Sequence, residues 1–403
     1  MRHFGQPLSQ YVAARWLEAH LIRSFNHTKP PSTRINPGIE EQLTIGMRNM
    51  SKKRIVILTD VPAHSIGLGS ISRIKSLIEY LSQTVETHCI VLGHGANQPP
   101  GIGNATFHFF QADARGNING TSIRELIARL KPDVGMIEYA HFAKTTRELF
   151  PQKLPMILDT LDLLYLRAAS FRAAGLAPIF EMDEAEEFAI LDSFDRVLFI
   201  SKMEMEIGIP RLGKKKCLFS PHVAPDHEIT LSHNPVGGIL CSAATANQHG
   251  LKWLHEEVLT EADMATAPMR VCGSITNMAG IAEQFPRFEF LPPVESPSQF
   301  YETVAFTLNP THIAGGMKIK SVEAFGYGIP LITTPEGIDG CPKANYEFCR
   351  VATTPEDFRN AILEVAQSAD YRNHLRNGAL RYAREFLSAD AAFGSLIRYI
   401  QKI

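Results

Sequence analysis

The sequence lacks any apolar run approaching the roughly 20 residues that a membrane-spanning helix requires. Its N-terminus also lacks a charged segment followed by an apolar one, the pattern typical of a secretory signal. We therefore expect a cytoplasmic protein without a transmembrane segment. A peripheral contact with the inner face of the membrane is left open.

Cysteine is sparse, and its spacing indicates neither a metal site nor a disulfide scaffold. The six cysteines include no Cys-x-x-Cys pair and show no metal-ligand spacing with histidine. Several of them lie inside apolar runs that predict strands, so we expect buried free thiols and no bound metal. Gly and Pro, at 28 and 25 residues, are close to ordinary levels, which excludes a collagen-like or low-complexity chain.

An excess charge of one sign is also missing. The chain has 40 Lys and Arg against 42 Asp and Glu, a formal net charge of −2. Such a balance gives no general attraction to phosphate backbones, so we expect no nucleic-acid partner. With 403 residues, of which 45% are apolar, the chain is long enough for two domains that each bury a core.

Four regions differ in character along the chain. Residues 1–50 join a helical stretch to a polar, proline-bearing segment, which predicts an arm or linker. Residues 51–228 and 229–385 each alternate short apolar runs with amphipathic stretches, which predicts two doubly wound, Rossmann-like α/β domains facing a cleft. Residues 386–403 predict a C-terminal helix that could pack back on the first domain. The predicted strands cover residues 54–60, 86–92, 106–110, 134–138, 155–159 and 196–200, then 237–241, 269–273, 288–291, 304–308 and 330–333.

A loop with Gly67 and Gly69 follows the first predicted strand and opens a helix. Its backbone N–H groups could receive a phosphate. The loop matches a dinucleotide fingerprint only in part, because Ser72 stands where the third glycine is expected and the next strand ends without a carboxylate. A tight turn that merely needs small residues explains the loop equally well.

A second loop, residues 309–330, carries more information. After a strand, Gly315 and Gly316 allow close backbone approach to a ligand, and a helix is predicted to start near Gly316 with its free N–H groups aimed outward. Lys318 and Lys320 add positive charge in the first turn, where a bound diphosphate would compensate it. Glu323 can accept hydrogen bonds from the two hydroxyls of a ribose. Alternatively, Glu323 is a solvated charge on the helix surface that pairs with Lys320.

The run Gly-Gly-x-Lys-Ile-Lys-x-x-Glu-Ala-x-x-x-Gly-x-Pro at residues 315–330 resembles the donor-binding segment of family 4 retaining glycosyltransferases. Residues 132–134, 186–201 and 247–254 resemble other elements of that family, so the resemblance spans about residues 52–400. It implies a GT-B fold, with a nucleotide sugar on the C-terminal domain and an acceptor approaching from the N-terminal one. The resemblance also implies that the reaction retains the anomeric configuration of the sugar and does not require a metal. The donor-binding residues implied are Asn247, Gly315, Gly316, Met317, Lys318, Lys320 and Glu323, joined by Gly67 and Gly69.

The sequence departs from this family at two places near the reacting sugar. Many members carry a first glutamate eight positions before the second, and here that position is Gly315; where many have a histidine, this chain has Leu161. Three residues are the catalytic candidates. Asp162 is the candidate for contacting a sugar hydroxyl, and Glu138 and His141, which end another predicted strand, could bind acceptor or donor. For these three residues a helix cap or a satisfied polar group at a strand end is an equal alternative.

The sequence predicts an enzyme that moves a sugar from a nucleoside diphosphate sugar, used as co-substrate without further cofactor, to an acceptor hydroxyl. The acceptor is a glycan, a lipid-linked molecule, a protein or a small molecule. A non-catalytic subunit that binds a nucleotide sugar or supports a partner glycosyltransferase is the main alternative, because the first glutamate and the histidine are missing. An epimerase of UDP-sugars with the same architecture is a third.

Overall fold

A computed structural model describes residues 52–61, 69–93, 101–111, 118–178, 180–342 and 347–403. Residues 53–403 form one compact unit. The arm predicted for residues 1–50 and the predicted donor-binding Gly67 lie outside the described residues.

The first lobe is a parallel sheet with helices on both faces. Among the described residues its sheet has seven strands, in the order β3-β2-β1-β4-β5-β6-β7. The strands are β1 (Arg54–Thr59), β2 (Glu86–Leu92), β3 (Thr106–Phe110), β4 (Val134–Glu138), β5 (Met156–Asp159), β6 (Arg196–Phe199) and β7 (Cys217–Phe219). The helices are α1 (Gly69–Thr84), α2 (Gly120–Leu130), α3 (Ala140–Thr146), α4 (Leu164–Ala173), α5 (Glu184–Asp192) and α6 (Lys202–Leu212).

The pattern of β1 explains why this sheet is covered on both sides. Ile55 and Ile57 join one apolar cluster, whereas Val56 and Leu58 join another on the opposite face. Successive side chains of a strand point to opposite faces, so an uninterrupted apolar run requires two buried faces.

The second lobe repeats this architecture with shorter strands. Its sheet has six parallel strands within the described residues, in the order β10-β9-β8-β11-β12-β13. They are β8 (Gly237–Leu240), β9 (Met269–Cys272), β10 (Glu289–Phe290), β11 (Phe306–Asn309), β12 (Leu331–Thr333) and β13 (Arg350–Val351). The helices are α7 (Thr245–Trp253), α8 (Glu261–Thr266), α9 (Ile281–Gln284), α10 (Pro297–Tyr301), α11 (Ile319–Tyr327), α12 (Pro355–Gln367), α13 (Ala369–Phe386) and α14 (Ala389–Ile400).

The strand order reverses direction once in each sheet. In the first sheet β1 pairs with both β2 and β4, and in the second β8 pairs with both β9 and β11. Ligands of open α/β sheets bind beyond the carboxyl ends of the strands at such a reversal. The loops after β4 and β11 are therefore the places to look for a site.

The last helix returns to the first lobe. Phe393 and Leu396 of α14 belong to the apolar cluster of β1 and α1, and the rings of Tyr80 and Phe393 lie 5.8 Å apart. Under this helix, Arg73 of α1 makes a fully buried ion pair with Asp159 of β5 at 2.7 Å. Arg73 also donates to Pro221 O at 3.1 Å, which fixes the start of the linker between the lobes.

The expectation of two doubly wound α/β domains followed by a helical tail is confirmed. One detail differs: α11 begins at Ile319 rather than near Gly316. The positive φ angles of Gly315 and Gly316 exclude a start at those residues, and the extended backbone of Lys318, with φ of −83° and ψ of 107°, delays the start to Ile319.

Candidate active site

The twin-glycine turn, Gly315 and Gly316, lies between β11 and α11 at the reversal of the second sheet. The two residues have φ angles of 98° and 61°, a region that glycine adopts readily and other residues rarely do. A methyl group on Gly316 would lie only 1.8 Å from Asp162 Oδ1 of the first lobe. The turn is thus a point of contact between the two lobes, and Gly316 needs to be glycine for two separate reasons.

Both amides of this turn are hydrogen bonded to carboxylates. Gly315 N donates to Asp339 Oδ2 at 3.2 Å, and Gly316 N donates to Glu204 Oε1 at 3.0 Å. Asp339 follows β12, whereas Glu204 comes from α6 in the other lobe. The expected bare amides of Gly315 and Gly316 are therefore occupied, because the tertiary structure brings in two carboxylates that are distant in sequence.

The start of α11 lacks a side-chain cap, as do the starts of α3, α4 and α7. Its N-cap residue is Lys318, which supplies no side-chain acceptor, whereas the side chains of Thr354, Ser368 and Ser388 cap α12, α13 and α14. Within the part of the chain that the structure describes, the amides of residues 317–320 have no hydrogen-bond acceptor. Uncapped amides and a cation at a helix start favour a bound anion.

Two lysines stand beside these amides. Lys318 Nζ contacts Gly315 O, and Lys320 Nζ contacts Asn247 Oδ1 of α7. Asn247 is held in turn by Ser242, whose backbone oxygen accepts from Asn247 Nδ2 at 2.9 Å. Burial lowers the pKa of Lys320 from its ordinary value. The lysines are only partly exposed, so an anion that meets them would be largely shielded from water.

Glu323 lies farther along the same helix and is only partly exposed. Burial raises the pKa of its carboxyl to about 7, an effect that the charge of Lys320 and a hydrogen bond from Tyr301 partly offset. Lys320 is near enough for its charge to act on Glu323, but among the described residues the two side chains form no ion pair within 4.0 Å. Met317, in contrast, is buried in an apolar cluster with Val322, so only its backbone could contact a ligand.

Asp162 lies opposite the turn. Its Oδ2 accepts from Arg167 Nη1 of α4 at 2.8 Å, and its side chain is 17% exposed. The residue before it, Leu161, is buried and has a φ angle of 57°, a conformation that is costly for leucine. Strain of this kind persists where the surroundings fix the backbone, and here it directs Asp162 towards Gly316.

A second strained residue, Tyr139, follows the neighbouring strand β4 with a φ angle of 64°. Its ring lies 5.2 Å from that of His141, which stacks at 4.3 Å on Phe180, a side chain that is 45% exposed. Burial lowers the pKa of His141. His141 therefore belongs to an aromatic group at the strand ends of the first lobe.

Glu138, at the end of β4, is completely buried. Its Oε2 accepts from Thr59 Oγ1 at 2.6 Å, while Oε1 has no partner among the described residues. Burial, and then the nearby charge of Asp159, raise the pKa of Glu138 to about 8. No hydrogen bond within the described residues joins Glu138 to the twin-glycine turn.

Comparisons with known proteins fit this geometry. Residues 236–368 match the family described as "Glycosyl transferases group 1". Sucrose-phosphate synthase from Thermosynechococcus elongatus superposes with a TM-score of 0.68 at 15% identity, over 87% of this chain and 100% of that one. The HepE protein of Anabaena, in complex with UDP and glucose, superposes with a TM-score of 0.63 at 12% identity, over 87% and 100%. A glycosyltransferase from Rickettsia africae superposes with a TM-score of 0.65 at 9% identity, over 88% and 99%. No curated protein matches by sequence.

The chain is a glycosyltransferase with the GT-B fold. None of the helices in its described part has the length and apolar character needed to cross a membrane.

In this glycosyltransferase, the predicted donor-binding residues from Gly315 to Glu323 adjoin one another, and Lys320 joins them to Asn247. Gly69 lies across from them at the start of α1, where an added methyl group would be 3.2 Å from Ile319 Cγ2. Of the three predicted catalytic residues, Asp162 reaches the turn, whereas Glu138 and His141 lie around the end of β4. The roles of all these residues stay predictions.

Sequence reasoning missed Glu204 and Asp339. Ser201 and Glu204 have the spacing of a capping box, a pattern that explains a Ser and a Glu at a helix start without any further role. Ser201 Oγ does accept from Glu204 N at 3.3 Å, but the Glu204 carboxylate crosses to the other lobe instead of turning back. Only the structure therefore reveals Glu204 as part of the site, because its carboxylate binds Gly316 N instead of closing the capping box.

The buried Glu138 leads to a prediction about stability. A carboxyl group whose pKa is higher in the folded than in the unfolded protein holds its proton better when folded, so its contribution to stability falls as pH rises from about 4.5 to about 8. Glu138→Gln keeps the bond from Thr59 and cannot ionise. At pH 8.5 the variant should unfold several degrees above the wild type, and this advantage should be about 3 kcal/mol smaller at pH 5.5.

Thermal unfolding at both pH values measures this effect. The exposed Glu257, changed to Gln, is the control and should leave the difference between the two pH values as in the wild type. If Glu138→Gln melts below the wild type at pH 8.5, the carboxylate is needed in its ionised form and the argument from burial is wrong.

Proposed function

We propose that the protein transfers a sugar from a nucleoside diphosphate sugar to an acceptor hydroxyl, with retention and without a metal. The observation that carries the proposal is the start of α11, where four successive amides lack an acceptor in the described chain and two lysines stand beside them. This arrangement suits a diphosphate. Glu323, one turn farther on, suits the two hydroxyls of the ribose.

The chemistry requires stabilisation of the leaving group. The bond between the anomeric carbon and the diphosphate oxygen breaks and its electron pair stays on the diphosphate. The acceptor oxygen bonds to the anomeric carbon, and the proton of the acceptor hydroxyl passes to the departing diphosphate oxygen. Preorganised amides and cations at the diphosphate stabilise the developing negative charge. Because Lys318, Lys320 and the helix N-terminus supply positive charge, a metal is not required for this task. Retention is proposed from the resemblance of residues 315–330 to retaining enzymes.

A panel of UDP-, GDP- and ADP-sugars tests the proposal, with release of the nucleoside diphosphate as the readout, in the presence and absence of glycan, lipid-linked, protein and small-molecule acceptors. UDP-glucose is the first donor to try, since HepE was solved with UDP and glucose. Turnover that depends on an acceptor is expected. Binding across the panel without turnover would instead favour a non-catalytic subunit, and conversion of the donor without any acceptor would favour an epimerase.

A further inference from the structure

Three carboxylates converge on the twin-glycine turn, from both lobes. Glu204 and Asp339 bind the amides of Gly316 and Gly315, at 3.0 Å and 3.2 Å. Asp162 Oδ1 lies so close to Gly316 that an added methyl group would be 1.8 Å away. The carboxylates thus surround the end of the turn that precedes the unpaired amides of α11.

The charged side chains around this turn are mostly acidic. Burial raises the pKa of Glu336, the charge of Asp339 raises it further and that of Lys318 lowers it, so Glu336 is close enough to feel both charges. Among the described residues, the basic groups that face the same turn are Arg167, which is paired with Asp162, and Lys318, which contacts Gly315 O. The acidic groups are Asp162, Glu204, Glu336 and Asp339, and the basic groups are Arg167 and Lys318.

Glu204 gives an independent indication of a ligand. Its side chain is completely buried, and its Oε1 is fixed by two amides, Gly316 N and Leu163 N, the latter at 3.3 Å. Its Oε2 is buried without a partner in the described part of the chain. A buried carboxyl oxygen without a hydrogen-bond partner is costly. Burial and the charge of Asp162 raise the pKa of Glu204 to about 8, and a hydroxyl group can pair with either protonation state because it both donates and accepts.

This inference rests on the proposed function. We infer that Asp162, Glu204 and Asp339 form the subsite of the transferred sugar, bind its hydroxyls, and exclude donors whose sugar carries a carboxylate. The donor then lies along one line: ribose at Glu323, diphosphate at the amides of residues 317–320, and sugar at the twin-glycine turn. A uronic acid would place a further negative charge beside partly buried carboxylates, where the effective dielectric constant is low. The substrate class is therefore a nucleotide sugar with a neutral or amino sugar.

The test compares donors that share a nucleotide and differ only at C6 of the sugar. The pairs are UDP-glucose with UDP-glucuronate, and GDP-mannose with GDP-mannuronate, each measured by calorimetry beside the free nucleoside diphosphate. The wild-type chain should bind the neutral member at least tenfold more tightly. Measured at pH 9, above the pKa of about 8 that burial gives Glu204, Glu204→Gln and Asp339→Asn keep an oxygen for the amides of the turn while removing a charge. Each should reduce the preference at least threefold and leave the affinity for the free nucleotide unchanged. Glu257→Gln, an exposed site, should leave the preference as in the wild type.

Two results overturn the inference, and they are distinguishable. If the free nucleotide and both sugars bind with equal affinity, or if neither charge-removing variant changes the preference, the subsite is wrong while the proposed function stands. If neither the free nucleotides nor any of the nucleotide sugars bind, the proposed function fails together with the subsite.

Discussion

Gly316→Ala is expected to abolish measurable sugar transfer, whereas Gly315→Ala, one residue earlier in the same turn, is expected to retain most of it. Both residues have positive φ angles, so alanine is strained at either position, by roughly 1–2 kcal/mol at Gly316, whose φ of 61° is left-handed helical, and by more at Gly315, whose φ of 98° lies outside that region. Backbone strain alone would therefore make Gly315→Ala the more damaged variant. Only at Gly316 does the new methyl group collide with Asp162. The nearest atom to a methyl group on Gly315 is Arg167 Cα, at 3.6 Å.

The collision at Gly316 must push the first lobe away from the turn. Displacing reacting groups by about 1 Å can lower a rate roughly 100-fold, which is the smallest loss of kcat we expect. Thermal unfolding measured on both variants separates loss of activity from loss of structure. If Gly316→Ala keeps more than half of the wild-type rate, contact between the lobes at this turn is not part of catalysis.

Glu323→Ala is expected to weaken nucleotide binding by about 10- to 100-fold, the effect of losing hydrogen bonds to a charged group worth roughly 1.5–3 kcal/mol. The fold should remain, because Glu323 is partly exposed. The raised pKa also shows that its ionised carboxylate is unfavourable in this environment, so removing the carboxyl group should not destabilise the protein. Calorimetry with UDP, GDP and ADP measures the effect. Glu257→Ala, which removes an exposed carboxylate from the same lobe, is the matched control. An unchanged affinity in Glu323→Ala would take Glu323 out of the site.

The pH dependence of nucleotide binding gives a second readout for the same residue. Ribose hydroxyls donate to the ionised carboxylate, and burial holds the pKa of Glu323 at about 7. Affinity should therefore fall as pH decreases below 7, by roughly tenfold between pH 7.5 and pH 6. Glu323→Gln should show a weaker affinity with a flatter profile over that range. If the wild type and Glu323→Gln have the same pH profile, ionisation of Glu323 does not control nucleotide binding.

The uncapped start of α11 connects these two predictions. Its lysines and amides lie between the twin-glycine turn and Glu323, so Gly316→Ala acts at one end of the proposed donor and Glu323→Ala at the other. We expect Gly316→Ala to reduce kcat with little change in affinity for the free nucleotide, and Glu323→Ala to do the reverse. This separation follows from the proposed order of sugar, diphosphate and ribose along the helix.

The fold was largely predictable because its signals are local. Apolar runs such as that of β1 alternate with amphipathic helices, and a strand that is apolar at every position requires helices on both faces. Two short strands, β7 and β13, were not predicted, although β10 and β12, which are equally short, lie within predicted apolar runs. Runs of three and two residues carry little periodicity, so such strands are recognised only when the residues around them are also apolar. The start of α11 was misplaced by three residues because the sequence does not reveal the backbone angles of Gly315, Gly316 and Lys318.

The sequence by itself determined the two-domain α/β architecture and the segment at residues 315–330 with its glycines, lysines and Glu323, because strand patterns, helix starts and turn residues depend on neighbours along the chain. Only the tertiary structure decided what faces that segment. Glu204 reaches Gly316 from 112 positions away and Asp339 reaches Gly315 from 24 positions away. Electrostatic and hydrogen-bond energies depend on distance in space, so the acidic surroundings of the turn emerge only when the two lobes are brought together.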